Sequence, residues 1–166
     1  GNLGLGFARA LSISGDRGTI WLPENAVPAK VEALRDYDVE LACHGRDCLE
    51  TELHAKEQAR KLGMAWVSPY NDPAVVAGQG TVGLEIVEQV AELGRANEPL
   101  TVFVPIGGGG LSAGVCVAVK SLRPDATVIG VEPVGRPSTH RLPAAARSRI
   151  SRAISPGALV PTSTIR

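Results

Sequence analysis

Cysteine is scarce in this chain: Cys43, Cys48 and Cys116 are the only three, and no two of them form a CxxC pair. That excludes the common zinc frameworks and the thioredoxin-type redox motif, and leaves reduced thiols in a cytoplasmic protein as the expectation. Apolar runs long enough for a membrane span are missing, as are a signal peptide and a lipidation motif. Hairpin signals such as Asn-Gly between apolar runs are missing too, which argues against consecutive antiparallel strands. What remains, 44 % hydrophobic and 20 % charged residues over 166 positions, fits a folded globular chain of one domain or parts of two.

The formal net charge is zero but unevenly spread. Residues 1–135 hold all 17 acidic residues against 11 basic ones, whereas residues 136–166 hold six arginines, no lysine and no acid. That last stretch is also rich in proline and has no amphipathic period, so it reads as a basic, disordered tail. It lacks the aromatics and dense basic clusters of a nucleic-acid arm, and no nucleic-acid partner is expected.

Along residues 1–135, apolar runs of strand length alternate with helical periods. Gly1 to Ser14 reads as a glycine-rich turn entering a helix with Leu5, Ala8 and Leu11 on one face. Strands are expected at Thr19–Leu22, Val39–Ala42, Met64–Val67, Thr101–Ile106 and Ala126–Val131. Helices are expected from Pro28, over Arg46–Leu62 with Gly63 as the stop, and from Gly78-Gln79-Gly80-Thr81 onward with Val82, Ile86, Val90 and Leu93 stepping through one face. The alternation predicts an α/β fold with parallel strands and helical crossovers.

One stretch carries chemistry. Thr101–Ile106 breaks into Gly107, Gly108, Gly109 and Gly110, followed by a small-residue helix beginning at Leu111. A helix start leaves backbone N–H groups without partners and carries partial positive charge, and glycines let an anion approach that backbone. A tight turn alone would need only two glycines, so phosphate binding is the expectation. Locally, two phosphate ligands stay open. Gly108, Gly110 and Ala113 also fit a GxGxxA dinucleotide pattern, with Glu132 placed as a ribose-binding acid.

The order of motifs goes further. GN at Gly1-Asn2, then LPENAVPAKVEALRDYDVEL, VSPYNDPAVVAGQGTVGLEIVEQ, VFVPIGGGGLSAG and VIGVEP follow one another over residues 1–135. This succession resembles the threonine/serine dehydratase group of fold-type II pyridoxal-phosphate enzymes, which includes serine racemases and the dehydratase of hydroxyectoine breakdown. The resemblance implies a three-layer parallel sheet of the tryptophan synthase β type, with residues 1–67 part of a small domain and 68–135 part of a large one. It implies pyridoxal 5′-phosphate as cofactor, its phosphate held by Gly107–Gly110 and Leu111, and Asn2 beside the pyridine ring. Gln79 would lie near the substrate end. Glu132 matches an acid of a divalent-cation site in some relatives, but the partner acid's position is Ser138 here, so no metal is expected. The implied substrate is a small hydroxy-amino acid, converted to a 2-oxo acid and ammonia, in a cytoplasmic enzyme whose full-length relatives are homo-oligomers.

Departures carry expectations of their own. Leu3 and Leu5 stand where the family has His and a polar residue, making a substrate-carboxylate loop more apolar. The family's Schiff-base lysine lies upstream of GN, and Lys30, Lys56, Lys61 and Lys120 each read as solvated surface lysines. The chain is therefore expected to be an internal fragment without a catalytic residue or activity of its own. The likeness is expected to end near Gly135, with residues 136–166 read in a shifted frame.

Overall fold

Strands and helices alternate except at Cys48–Leu62 and Pro73–Glu92, two helices that follow one another. The structure, a computed structural model, describes residues 2–132 and divides into two units, Gly1–Trp66 and Val67–Arg166.

The first unit contains α1 (Asn2–Ser14), β1 (Thr19–Leu22), α2 (Pro28–Arg35), β2 (Glu40–Cys43) and α3 (Cys48–Leu62). β1 and β2 pair in parallel, from Thr19 opposite Glu40 to Leu22 opposite Cys43. Ala8, Ile20, Leu22 and Leu34 form the buried core, with Leu5, Val31 and Leu41 packed around it. Pro28 opens α2, where its fixed φ suits the first turn. The Asp47 side chain accepts from the N–H groups of Leu49 (2.8 Å) and Glu50 (2.9 Å) and so starts α3 at Cys48, two residues later than Arg46. Gly63, at φ 65°, ends α3 in the left-handed conformation. Two expectations need correction. The turn predicted at residue 1 onward is already helix from Asn2. The strand predicted at Met64–Val67 does not form: among the described residues the first sheet consists of β1 and β2 alone.

A ring cluster fastens α3 to the sheet. His44, just past β2, stacks on His54 of α3 with ring centroids 3.6 Å apart, and Trp21 of β1 meets His54 edge-on at 4.6 Å. Burial, then the positive charges of His44 and Lys61, hold His54 below its ordinary pKa. The folded state therefore binds this proton more weakly than the unfolded chain. The stability it confers is complete above the unfolded value of 6.5 and is lost as pH falls through the folded value.

The second unit contains α4 (Pro73–Glu92), β3 (Thr101–Pro105), α5 (Gly110–Leu122) and β4 (Thr127–Val131). β3 and β4 pair in parallel in register from Thr101–Thr127 to Pro105–Val131, with α5 as the crossover. The expected parallel α/β arrangement is what the structure has. Val102 and Val104 alternate inward from β3 to meet Val115, Val119, Ala126 and Val128.

α4 departs from its predicted form. It begins at Pro73, not at Gly78, because Asp72 caps it through the Ala74 N–H (2.8 Å) and Pro73 occupies the first helical turn. Of the predicted row, Ile86 packs on the core and Val90 is half-buried, whereas Val82 and Leu93 are exposed. Gly80 and Gly83 are buried, and Val87 joins Ile86 against the core. The reason is a close helix crossing. A Cβ on Gly114 of α5 would strike the backbone of Val76, Gln79 and Gly80, and one on Gly83 would lie 2.9 Å from Ala118 Cβ and 3.0 Å from the Val115 carbonyl oxygen.

Two outcomes follow for stability. Gly114→Ala should lower unfolding free energy by about 1–3 kcal/mol, because the clash is with backbone that must shift. Gly78→Ala, in the same contact region of sequence but facing open space, should be neutral or stabilising by about 0.5–1 kcal/mol. Urea unfolding of the two variants checks the contrast. For the ring cluster, His54→Gln should flatten the decline of stability between about pH 7 and pH 5, read from urea midpoints across that range.

Candidate anion site at the start of α5

β3 delivers the chain to the carboxyl edge of the sheet, where open α/β folds place their ligands. The Ile106 N–H still bonds the Val131 carbonyl (2.8 Å), so strand pairing holds the chain up to the first glycine. Gly107–Gly109 then form the turn, and Gly109, at φ 100°, stands at the N-cap of α5. A side chain there would be strained. The Gly109 carbonyl accepts from the Ala113 N–H (2.8 Å) and from the Ser112 hydroxyl (3.0 Å). The N–H groups of Gly110, Leu111 and Ser112 thus precede the first i→i−4 bond of a 13-residue helix. No acidic residue lies in that first turn to offset its positive end.

The space around the glycines is unequal. A Cβ on Gly107 or Gly109 would meet nothing within 4 Å. On Gly108 it would fall on the Tyr70 ring, and on Gly110 it would press on the Pro69 carbonyl oxygen and Tyr70 Cα. The loop is therefore bare backbone, open at Gly107 and Gly109 and floored by Pro69 and Tyr70. Bare N–H donors at a helix start with room beside them fit a phosphate monoester, the anionic end of pyridoxal phosphate. Leu111 packs its side chain on the core and has only its N–H to offer a ligand.

The remaining candidates lie elsewhere. Gln79 is half-buried in α4, its backbone against Gly114, about one helical turn along α5 from the glycine loop. Asn2 belongs to the first unit, in the opening turn of α1, where its side-chain oxygen accepts from Lys30 Nζ (3.0 Å). Glu132 follows β4 and is fully buried, which removes its carboxylate from a ribose hydroxyl at the surface. No group of His, Cys, Asp or Glu among the described residues could hold a metal ion. Residues 136–166, Ser138 included, lie outside the described residues. Tyr70 stands out in the sequence only as an aromatic inside the otherwise polar SPYNDP stretch, a signal that local pattern did not tie to the glycine loop.

The sequence profile of the pyridoxal-phosphate dependent enzyme family matches residues 1–163. The chain belongs to that family. The profile match runs past Gly135, whereas the relatives below align over 132 to 140 residues; the shifted-frame reading of residues 136–166 falls outside the described residues. The L-threonine ammonia-lyase of Geobacter sulfurreducens is 38 % identical over 140 residues, 84 % of this chain and 33 % of its own length. The catabolic L-threonine dehydratase TdcB of Staphylococcus aureus is 41 % identical over 132 residues, 80 % of this chain and 36 % of its own. Among solved structures, maize serine racemase superposes with a TM-score of 0.71 at 33 % identity, covering 81 % of this chain and 39 % of that one. The processed form of threonine deaminase isoform 2 from Solanum lycopersicum gives 0.70 at 36 % identity, covering 81 % and 38 %. The chain thus spans about a third of the length of the curated relatives it matches. No helix among the described residues is long and apolar enough to cross a membrane.

Family membership and loop geometry lead to one direct expectation. Titrating inorganic phosphate into the protein should move the backbone amide resonances of Gly107–Gly110 and Leu111 together, with Gly78 and Gly94 unmoved. Coincident shifts across both sets would mean a bulk salt effect and no site.

Proposed function

We propose that this chain is part of a pyridoxal-phosphate dependent threonine ammonia-lyase, which takes a small hydroxy-amino acid to a 2-oxo acid and ammonia. The observation that carries the reading is the bare glycine turn, with Gly109 at φ 100°, feeding the start of α5 without a capping side chain. The names of the relatives add the reaction class. In this reading the N–H groups of Gly107–Gly110 and Leu111 hold the cofactor phosphate. By the family resemblance Asn2 would serve the pyridine ring and Gln79 the substrate end, with no metal taking part. When bound, pyridoxal phosphate supplies an electron sink that lets the substrate α-proton leave. The residues of this chain bind the cofactor's anionic end and orient its ring. Residues 1–67 would belong to a small domain and 68–135 to a large one, in a cytoplasmic homo-oligomer with no nucleic-acid or membrane partner.

A second reading, a non-catalytic phosphate-ligand or partner-binding polypeptide, is favoured by the lysines. A lysine that anchors a carbonyl cofactor needs a lowered pKa and a fixed position. Lys30 and Lys56 are exposed, and Lys30 bonds Asn2. Lys61 lies 3.7 Å from Glu57. Lys120 bonds the carbonyls of Pro124 and Ala126 and so ties the end of α5 to the start of β4. We propose that these 166 residues bind the cofactor phosphate without a covalent anchor and without turnover.

Borohydride reduction in the presence of pyridoxal phosphate, followed by peptide mapping, separates the readings. The expected result is scattered, substoichiometric labelling and no 2-oxo acid formed from threonine or serine. Stoichiometric label at one lysine, with turnover, would overturn the non-covalent reading and leave the ammonia-lyase assignment standing.

A further inference from the structure

The floor of the glycine loop has a role that the anion reading alone does not assign. We propose that Tyr70 is a positioning residue for the phosphate loop: its ring, seated by the Ser68 turn, fills the volume beside Gly108 and holds Gly107–Gly110 in one conformation. The inference rests on the anion-site reading above.

Four glycines in succession carry the largest backbone entropy of any four residues, and no side chain of their own can restrain them. Something outside the loop must do so if its N–H groups are to be in place before a ligand arrives. At one end the Ile106–Val131 bond does this, and at the other the α5 ladder begins at Gly109. Between them, the tyrosine ring occupies the position where a Gly108 side chain would project, and the Pro69 carbonyl and Tyr70 Cα do the same for Gly110. The two glycines that face open space, Gly107 and Gly109, alternate with the two that are floored. One side of the loop is thus packed and the other left for the ligand.

The floor is itself held. Ser68 is buried, and its hydroxyl oxygen accepts from the N–H groups of Tyr70 (3.5 Å) and Asn71 (3.1 Å), closing a tight turn. Asp72 and Pro73 then lock the following residues into α4, and α4 is pressed on α5 through Gly80 and Gly114. Tyr70 therefore approaches the loop from a segment anchored on the same helix pair that carries the loop.

The experiment compares the full chain with Tyr70→Phe and Tyr70→Ala, using inorganic phosphate and pyridoxal 5′-phosphate as probes. Without ligand, amide exchange at Gly107–Gly110 should be as slow in Y70F as in the parent and clearly faster in Y70A. Phosphate affinity should be retained in Y70F and fall about tenfold in Y70A, the order expected when a few backbone dihedrals must be re-ordered on binding. Unchanged loop exchange in Y70A overturns the proposal. Faster exchange in Y70A, with a parent chain that gives no response to phosphate, supports the brace and overturns the anion reading instead. Tyr70→Leu, which removes the ring but keeps an apolar side chain, takes the place of Tyr70→Ala in every measurement where the alanine chain does not fold, and a double-mutant cycle adds a second readout. Gly108→Ala should weaken binding in the parent background by displacing the ring, and Gly108→Ala with Tyr70→Ala should lose less than the two single changes added together. Strict additivity would overturn the proposal.

Discussion

The second unit depends on how closely α4 and α5 can approach. Side chains of ordinary size would keep two helix axes apart, but Gly80, Gly83 and Gly114 let backbone meet backbone, with the Val76 carbonyl and the Gly80 N–H against Gly114. The approach sacrifices helix propensity, since each glycine inside a helix costs about 1 kcal/mol relative to alanine. Packing gains must offset that, and the Val102, Val104, Val115, Val119 and Val128 cluster is where they arise. The crossing also brings the Pro69–Tyr70 turn, which leads into α4, under the glycine loop that leads into α5.

The anion site inherits its shape from that arrangement. A helix N-terminus offers donors in any protein; what differs here is that the donors are left bare on one side and packed on the other. Gly109 at positive φ turns the chain into α5 without a capping side chain, so the cap position itself does not compete for the first N–H groups. The fold thereby keeps a fixed positive end at the carboxyl edge of β3 and β4, which is where an α/β sheet can present a ligand to more than one connecting segment.

The first unit is stabilised by different means. Its sheet of β1 and β2 is short, and α3 is held to it by Thr51, whose hydroxyl bonds the His44 carbonyl (2.7 Å), and by the stacked His44–His54 pair. Apolar burial concentrates on the opposite elements, around Ala8 and Leu34. Exposed ion pairs along α3, such as Glu57 with Arg60 at 2.8 Å, add little in water.

Much of this was legible in the residues themselves. β1 at Thr19–Leu22 is a short apolar run between turn residues, Pro28 opens α2, and Gly63 closes α3; each rests on local backbone chemistry that no neighbour needs to supply. The same holds for the glycine loop, since four glycines between a strand and a helix are unusual whatever surrounds them. What the residues alone could not settle depended on distant partners. Met64–Val67 has strand character but pairs with neither sheet of the described residues, and strand pairing is made by a partner. Gly78–Gly80 reads as a helix start because glycine is a poor helix former, yet α4 runs through it, because Gly114 of a second helix packs on Gly80 and leaves little room for a side chain there. The place of Tyr70 against Gly108 belongs to the same class. Local sequence determines which backbone shapes are permitted, whereas the tertiary structure decides which of them is stabilised, because only a packed neighbour can offset the entropy a glycine loses.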